Sequence, residues 1–131
     1  MKRLTALLLI FSLAAALCSC GGGKPDDMSD AMYQIGKNAL GVADQYIAGE
    51  ITGDDAYDRL EEFYEQAEAQ VEYDKEITGS ETLAGTEYWR DWLVSTDIMS
   101  VMHDVGFAKY GNKAMSEVQE SRDSLAETLG K

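Results

Sequence analysis

The residues whose types and spacing could do chemistry are mostly acids. Glu50, Asp54, Asp55, Asp58 and Glu61 crowd into a stretch of twelve positions. Carboxylate oxygens are the natural ligands of hard cations, so the cluster is a candidate for weak cation binding. Taken as a calcium loop beginning at Glu50, it ends suitably on Glu61, but its sixth position is Asp55, where the sharp turn needs glycine, and its third is Thr52. The pattern therefore predicts a capped, solvated first turn of a helix, with surface cation binding as the alternative. Asp97 and Asp104 lie in the most apolar part of the chain, where a carboxylate must be paired, protonated or turned to water. Arg90 and Lys109 are the nearest cations for them. His103 is the only histidine, which excludes a His-pair metal site and leaves one residue for any Ser-His-Asp arrangement. Its helical neighbours Met99 and Phe107 predict a boundary or core position. Tyr88, Trp89 and Trp92 fall within five residues and are expected as core aromatics closing one end of a bundle; a stacking platform for a sugar or an anchor for a partner protein is the functional alternative. There is no GxSxG, no phosphate-cradling glycine loop and no zinc or haem spacing, so no catalytic residue, metal centre or cofactor is assigned and no enzyme is expected.

The elements that must position these residues are helices. Apolar residues recur at Met28, Met32, Ile35, Ala39, Val42 and Tyr46, in steps of four and three, with Ser29 or Asp30 as cap and Gly49 or Gly53 as stop. A second stripe, Tyr57, Leu60, Tyr64, Ala67 and Val71, starts from Asp54 or Asp55, and its opposite face is carboxylate (Glu61, Glu62, Glu65, Glu68, Glu72) with few basic partners. Residues 76–86 are expected as a connection. Its opening Glu76-Ile77-Thr78-Gly79 repeats Glu50-Ile51-Thr52-Gly53 and is taken as the same stop-and-restart device used twice. The third helix, Thr86 to Lys109, has little polar face and should be central. Gly106 or Gly111 separates or kinks it from a fourth stripe, Met115, Val118, Leu125 and Leu129. No stretch alternates with the period of a strand, so the expected fold class is all-α, a small three- or four-helix bundle over residues 28–131.

The chain's net charge of −13 repels nucleic acid and anionic lipid, and favours basic peptides, cationic proteins or divalent cations. Its only cysteines, Cys18 and Cys20, precede the helical region, which excludes a disulfide within it.

Met1-Lys2-Arg3 is a positive start, and Leu4 to Leu17 is apolar apart from Thr5 and Ser12, too short to span a bilayer. Leu17-Cys18-Ser19-Cys20 resembles the lipobox of bacterial lipoproteins, with a leucine three residues before the cysteine and a small residue just before it. The resemblance covers the first 24 residues. It implies a signal peptide over 1–19, cleavage between Ser19 and Cys20, and diacylglyceryl transfer to the Cys20 thiol. Cleavage removes Lys2 and Arg3 and no acid, so the mature charge falls from −13 to −15. Two acyl chains anchor stably where one holds marginally. Residues 20–27, rich in glycine, then serve as a flexible tether.

These readings together predict a membrane-tethered, extracytoplasmic lipoprotein whose helical domain binds another envelope protein. The alternative is a small ligand- or cation-binding lipoprotein that uses the acidic patch or the Trp89/Trp92 end. The membrane is the cell membrane, or the outer membrane if the host has one, and nucleic acid is not a partner.

Overall fold

The computed structural model describes residues 23–131; the segment expected as a signal peptide, Ser19, Cys20 and the first residues expected as a tether lie outside them. The described chain forms four helices: Asp30–Ile47 (α1), Gly53–Thr78 (α2), Trp89–Ala108 (α3) and Met115–Thr128 (α4). No strand occurs among the described residues, and no helix there is long and apolar enough to cross a membrane. Each helix packs on its neighbour in sequence, α1 closes against α4, and α1 also reaches α3 across the middle. The predicted stripes supply the core: Met28, Met32, Ala39 and Val42 from the first, Leu60, Ala67 and Val71 from the second, Val94, Ile98, Val101 and Val105 from α3, and Val118, Leu125 and Leu129 from the last. This is the four-helix alternative, with short connections that keep successive helices antiparallel.

Local chemistry explains where the helices stop and start. Ser29, not Asp30, caps α1, its hydroxyl accepting from the Met32 N–H at 3.1 Å. Thr52 caps α2 by accepting from the Asp55 N–H at 3.1 Å, a role expected of Asp54 or Asp55. α2 then runs to Thr78, well into the segment expected as loop, and ends at Gly79 in the left-handed region (φ 67°). The two Glu-Ile-Thr-Gly copies therefore act in opposite ways: the first starts a helix and the second stops one. Both contain a capping hydroxyl and a permissive glycine, and the neighbouring backbone decides which is used. Gly111, also left-handed (φ 74°), divides α3 from α4, so these are separate helices rather than one kinked rod.

α3 touches all three other helices, as a central helix should, yet Trp92 and Phe107 at its ends face solvent.

Candidate functional site

The antiparallel arrangement gives the bundle two ends. At the first meet the segment before α1, the end of α2, the start of α3 and the end of α4. This anchor end is tied together by polar contacts: Arg90 Nε donates to Asp27 at 2.7 Å, the Lys24 ammonium pairs with Asp30, and Gly23 and Pro25 lie against Gly130. Arg90's hydrogen bond holds the Asp27 carboxyl below its ordinary range. Met28 is buried in the core. Of the segment expected as a flexible tether, the described part is thus fastened onto the bundle from Lys24 onward.

Trp89 and Trp92 lie at this end, and neither belongs to the core. They are 37% and 54% exposed and, with Leu83, Ala84, Lys75, Glu81 and Thr82, line a cavity of about 410 Å³. Trp92 also walls a second groove along the α2/α3 seam. Of the 79–88 connection, Leu83 is buried while Glu81, Thr82 and Ala84 border the cavity, and the indoles stay uncovered. Tyr88 does pack partly against the core and takes no part in the cavity. Glu87, with burial and the Asp74 and Asp91 carboxyls behind it, holds the Tyr88 hydroxyl above its ordinary pKa.

The buried carboxylates are Asp74 and Asp91, rather than Asp97 and Asp104. Asp97 accepts from the Ser124 and Thr128 hydroxyls of α4, and Asp104 from Lys113 (2.7 Å) and Ser121 (2.8 Å). Neither uses Arg90 or Lys109. Asp91 is 0% and Asp74 1% exposed. Asp91 accepts from the Ser29 N–H at 2.9 Å and from the Ser29 hydroxyl, and so secures the same residue that caps α1. Asp74 Oδ1 accepts from Gln70 at 2.8 Å, while its Oδ2 has no N–H or O–H donor. The Asp91 carboxyl lies beside it, and two adjacent buried carboxyls resist being ionised together. Burial above all, then the Asp74 carboxyl, pushes Asp91 up to about 7, against the lowering effect of Ser29. Neither carboxyl lines any of the cavities described; the pair joins α1, α2 and α3 from inside. Its signal lay in the spacing: Asp74 continues the stripe of Ala67 and Val71, and Asp91 precedes Val94 and Ile98 at helical intervals.

The distal end joins the end of α1, the start of α2, the end of α3 and the start of α4. Tyr57, His103, Phe107, Lys109, Tyr110 and Asn112 line a cavity of about 400 Å³, with Phe107 51% and Tyr110 73% exposed. His103 is an exposed wall of this groove rather than a core residue. The Lys109 ammonium sits 4.7 Å from the Tyr57 ring centre and 5.1 Å from that of Tyr110, and donates to Asp54 at 2.9 Å. Gly106 lets the Tyr57 ring lie against the α3 backbone; a Cβ there would come within 3.1 Å of it. Asp54 stands at the edge of this groove through Lys109, and Glu50, Asp55, Asp58 and Glu61 are, like it, exposed. Asp54 is engaged by Lys109, and among the described residues no three acids, histidines or cysteines converge to hold a metal. The aromatic groove escaped sequence reading because Phe107 and Tyr110 continue an apolar run whose exposure depends on where α4 begins.

No protein-family model, curated protein or solved structure matches this chain.

Proposed function

We propose that this protein is a lipid-anchored, extracytoplasmic interaction module, attached through Cys20 and presenting its distal end to a cationic surface of another envelope protein. The observation that carries the reading is the exposed aromatic groove, with Asp54 at its edge. Exposed Phe107 and Tyr110 supply apolar anchors, and the exposed acids around Asp54 at the start of α2 supply charge, the usual anatomy of a protein contact. A single protein of this size has no structural need to leave such a patch uncovered. The sealed Asp74–Asp91 pair supports binding rather than catalysis.

Two measurements test it. Cys20→Ser is expected to shift the protein from the membrane to the soluble extracytoplasmic fraction and to block its processing; unchanged fractionation and processing would remove the anchor. A photo-crosslinking residue at Tyr110 is expected to give a discrete protein adduct in host cells, weakened by added salt and by Phe107→Ala, while the same probe at Glu65 on the α2 surface gives none. Equal labelling at both positions would remove the distal contact.

A second reading rests on the Trp89/Trp92 cavity, whose volume falls in the range of small-ligand sites. A thermal shift with millimolar sugars, lost in Trp92→Ala, is what that reading requires.

A further inference from the structure

The two ends differ in their distance from the anchor. Lys24 is the first residue held by side-chain contacts, through Asp30 and the Met28 carbonyl. Only Gly21, Gly22 and Gly23 separate it from Cys20. At full extension the Cα of Cys20 stands no more than about 14 Å from that of Lys24. A lipid-bearing Cys20 therefore draws the anchor end down to the headgroups, whatever path the glycines take. At this end the chain also exposes Tyr73 and Ile77, one turn apart on α2, and Trp89 and Trp92, one turn apart on α3. Lys75 lies beside the indoles, and the Arg90 guanidinium is 5.4 Å from the Trp89 ring centre.

We infer that the anchor end is a membrane-contact face, on which Trp89 and Trp92 seat in the interfacial layer of the bilayer and hold the bundle upright with its distal groove pointing away. The inference rests on the Cys20 anchoring proposed above. Tryptophan and tyrosine favour the membrane–water boundary, since their rings are apolar and their N–H or O–H stays wet, and the long stems of Lys75 and Arg90 can lie along the rings with their charges outward. The mature net charge of −15, the full chain's −13 less Lys2 and Arg3, makes anionic lipid an unfavourable surface, so the contact is aromatic and fits a zwitterionic interface. The lipid keeps the face at high local concentration, so a weak contact suffices.

Trp89 and Trp92 are the chain's only tryptophans, so its intrinsic fluorescence reports this face alone. The test uses processed, lipid-bearing protein reconstituted in phosphatidylcholine vesicles, with and without bromine on the acyl chains near the headgroup. Expected are co-sedimentation with vesicles and loss of most tryptophan emission in the brominated ones, also in the single-reporter variants Trp89→Phe and Trp92→Phe. Phosphatidylglycerol added to the vesicles should weaken the quenching. Protein that sediments with unquenched tryptophans overturns the contact face and leaves the anchor intact; this is also the outcome if a sugar or a soluble protein occupies the Trp cavity. If lipid-bearing protein and Cys20→Ser sediment alike, or neither does, the anchoring reading falls, and quenching in the Cys20→Ser sample then shows whether the face binds by itself.

Discussion

Asp91→Asn is expected to make the protein more stable at pH 8 than the native chain while leaving the two similar near pH 4. The carboxyl of Asp91 titrates near 7 in the fold and near 3.8 when unfolded. Between those values the folded state keeps a proton that the unfolded chain has released, so stability falls as pH rises from about 4 to about 7 and levels off above. At 1.36 kcal/mol for each pH unit, the fall attributable to this group is at most about 4 kcal/mol. Asparagine has the same shape and no charge to desolvate. Its carbonyl accepts from the Ser29 N–H, and its amide can donate to the orphan Asp74 Oδ2. Urea unfolding at pH 4 and pH 8 measures the difference, and a native chain whose stability is flat or rising across that interval would refute the raised Asp91 pKa. The Asp27–Arg90 pair has the opposite sign: its lowered carboxyl stabilises above the unfolded value near 3.8 and loses that contribution as pH falls through a still lower value. Maximum stability should therefore lie at mildly acidic pH. Repulsion among the other exposed acids also grows with pH, but native and variant share it, so comparing them isolates Asp91.

Leu129→Ala is expected to cost about 2–5 kcal/mol, the range for emptying a fully buried leucine site. Leu129 closes α4 and fills the space left by Gly36 in α1: a Cβ on Gly36 would lie 2.6 Å from Leu129 Cδ2 and 3.0 Å from Val94 Cγ1. Helix α1 therefore needs a residue without a side chain at that position, although glycine costs it about 1 kcal/mol of helix propensity. Gly36→Ala alone recovers that propensity but crowds Leu129 and Val94, and overpacking of this kind costs about 1–3 kcal/mol. In the double variant the new methyl enters volume that Leu129 has vacated. Gly36→Ala should then stabilise the Leu129→Ala protein, with a coupling of about 0.5–3 kcal/mol in a four-protein unfolding cycle. Strict additivity would mean that the two residues do not meet.

The site residues separate by how far their setting depends on remote elements. Trp89 and Trp92 were legible as a pair on one side of a helix, but their exposure was not, because it depends on whether residues 79–88 fold over them. Asp74 and Asp91 stood at helical intervals in the buried stripes and were overlooked because acids beside basic residues read as surface. Asp97 and Asp104 looked buried from the apolarity around them, yet α4 meets them with hydroxyls and Lys113.

The acids that opened the reading show the same division. Composition and local spacing by themselves determined an all-α fold, four stripes, their approximate ends and a capped acidic turn at Glu50–Glu61, because helix periodicity and capping act over three or four residues. Only the tertiary structure decided that Thr52 makes the cap, that Asp54 answers Lys109 at the edge of an aromatic groove, and that the buried carboxyl pair lies at the other end. Each of those depends on contacts between residues far apart in sequence, and burial, pairing and proton affinity follow from what the fold brings within a few ångströms.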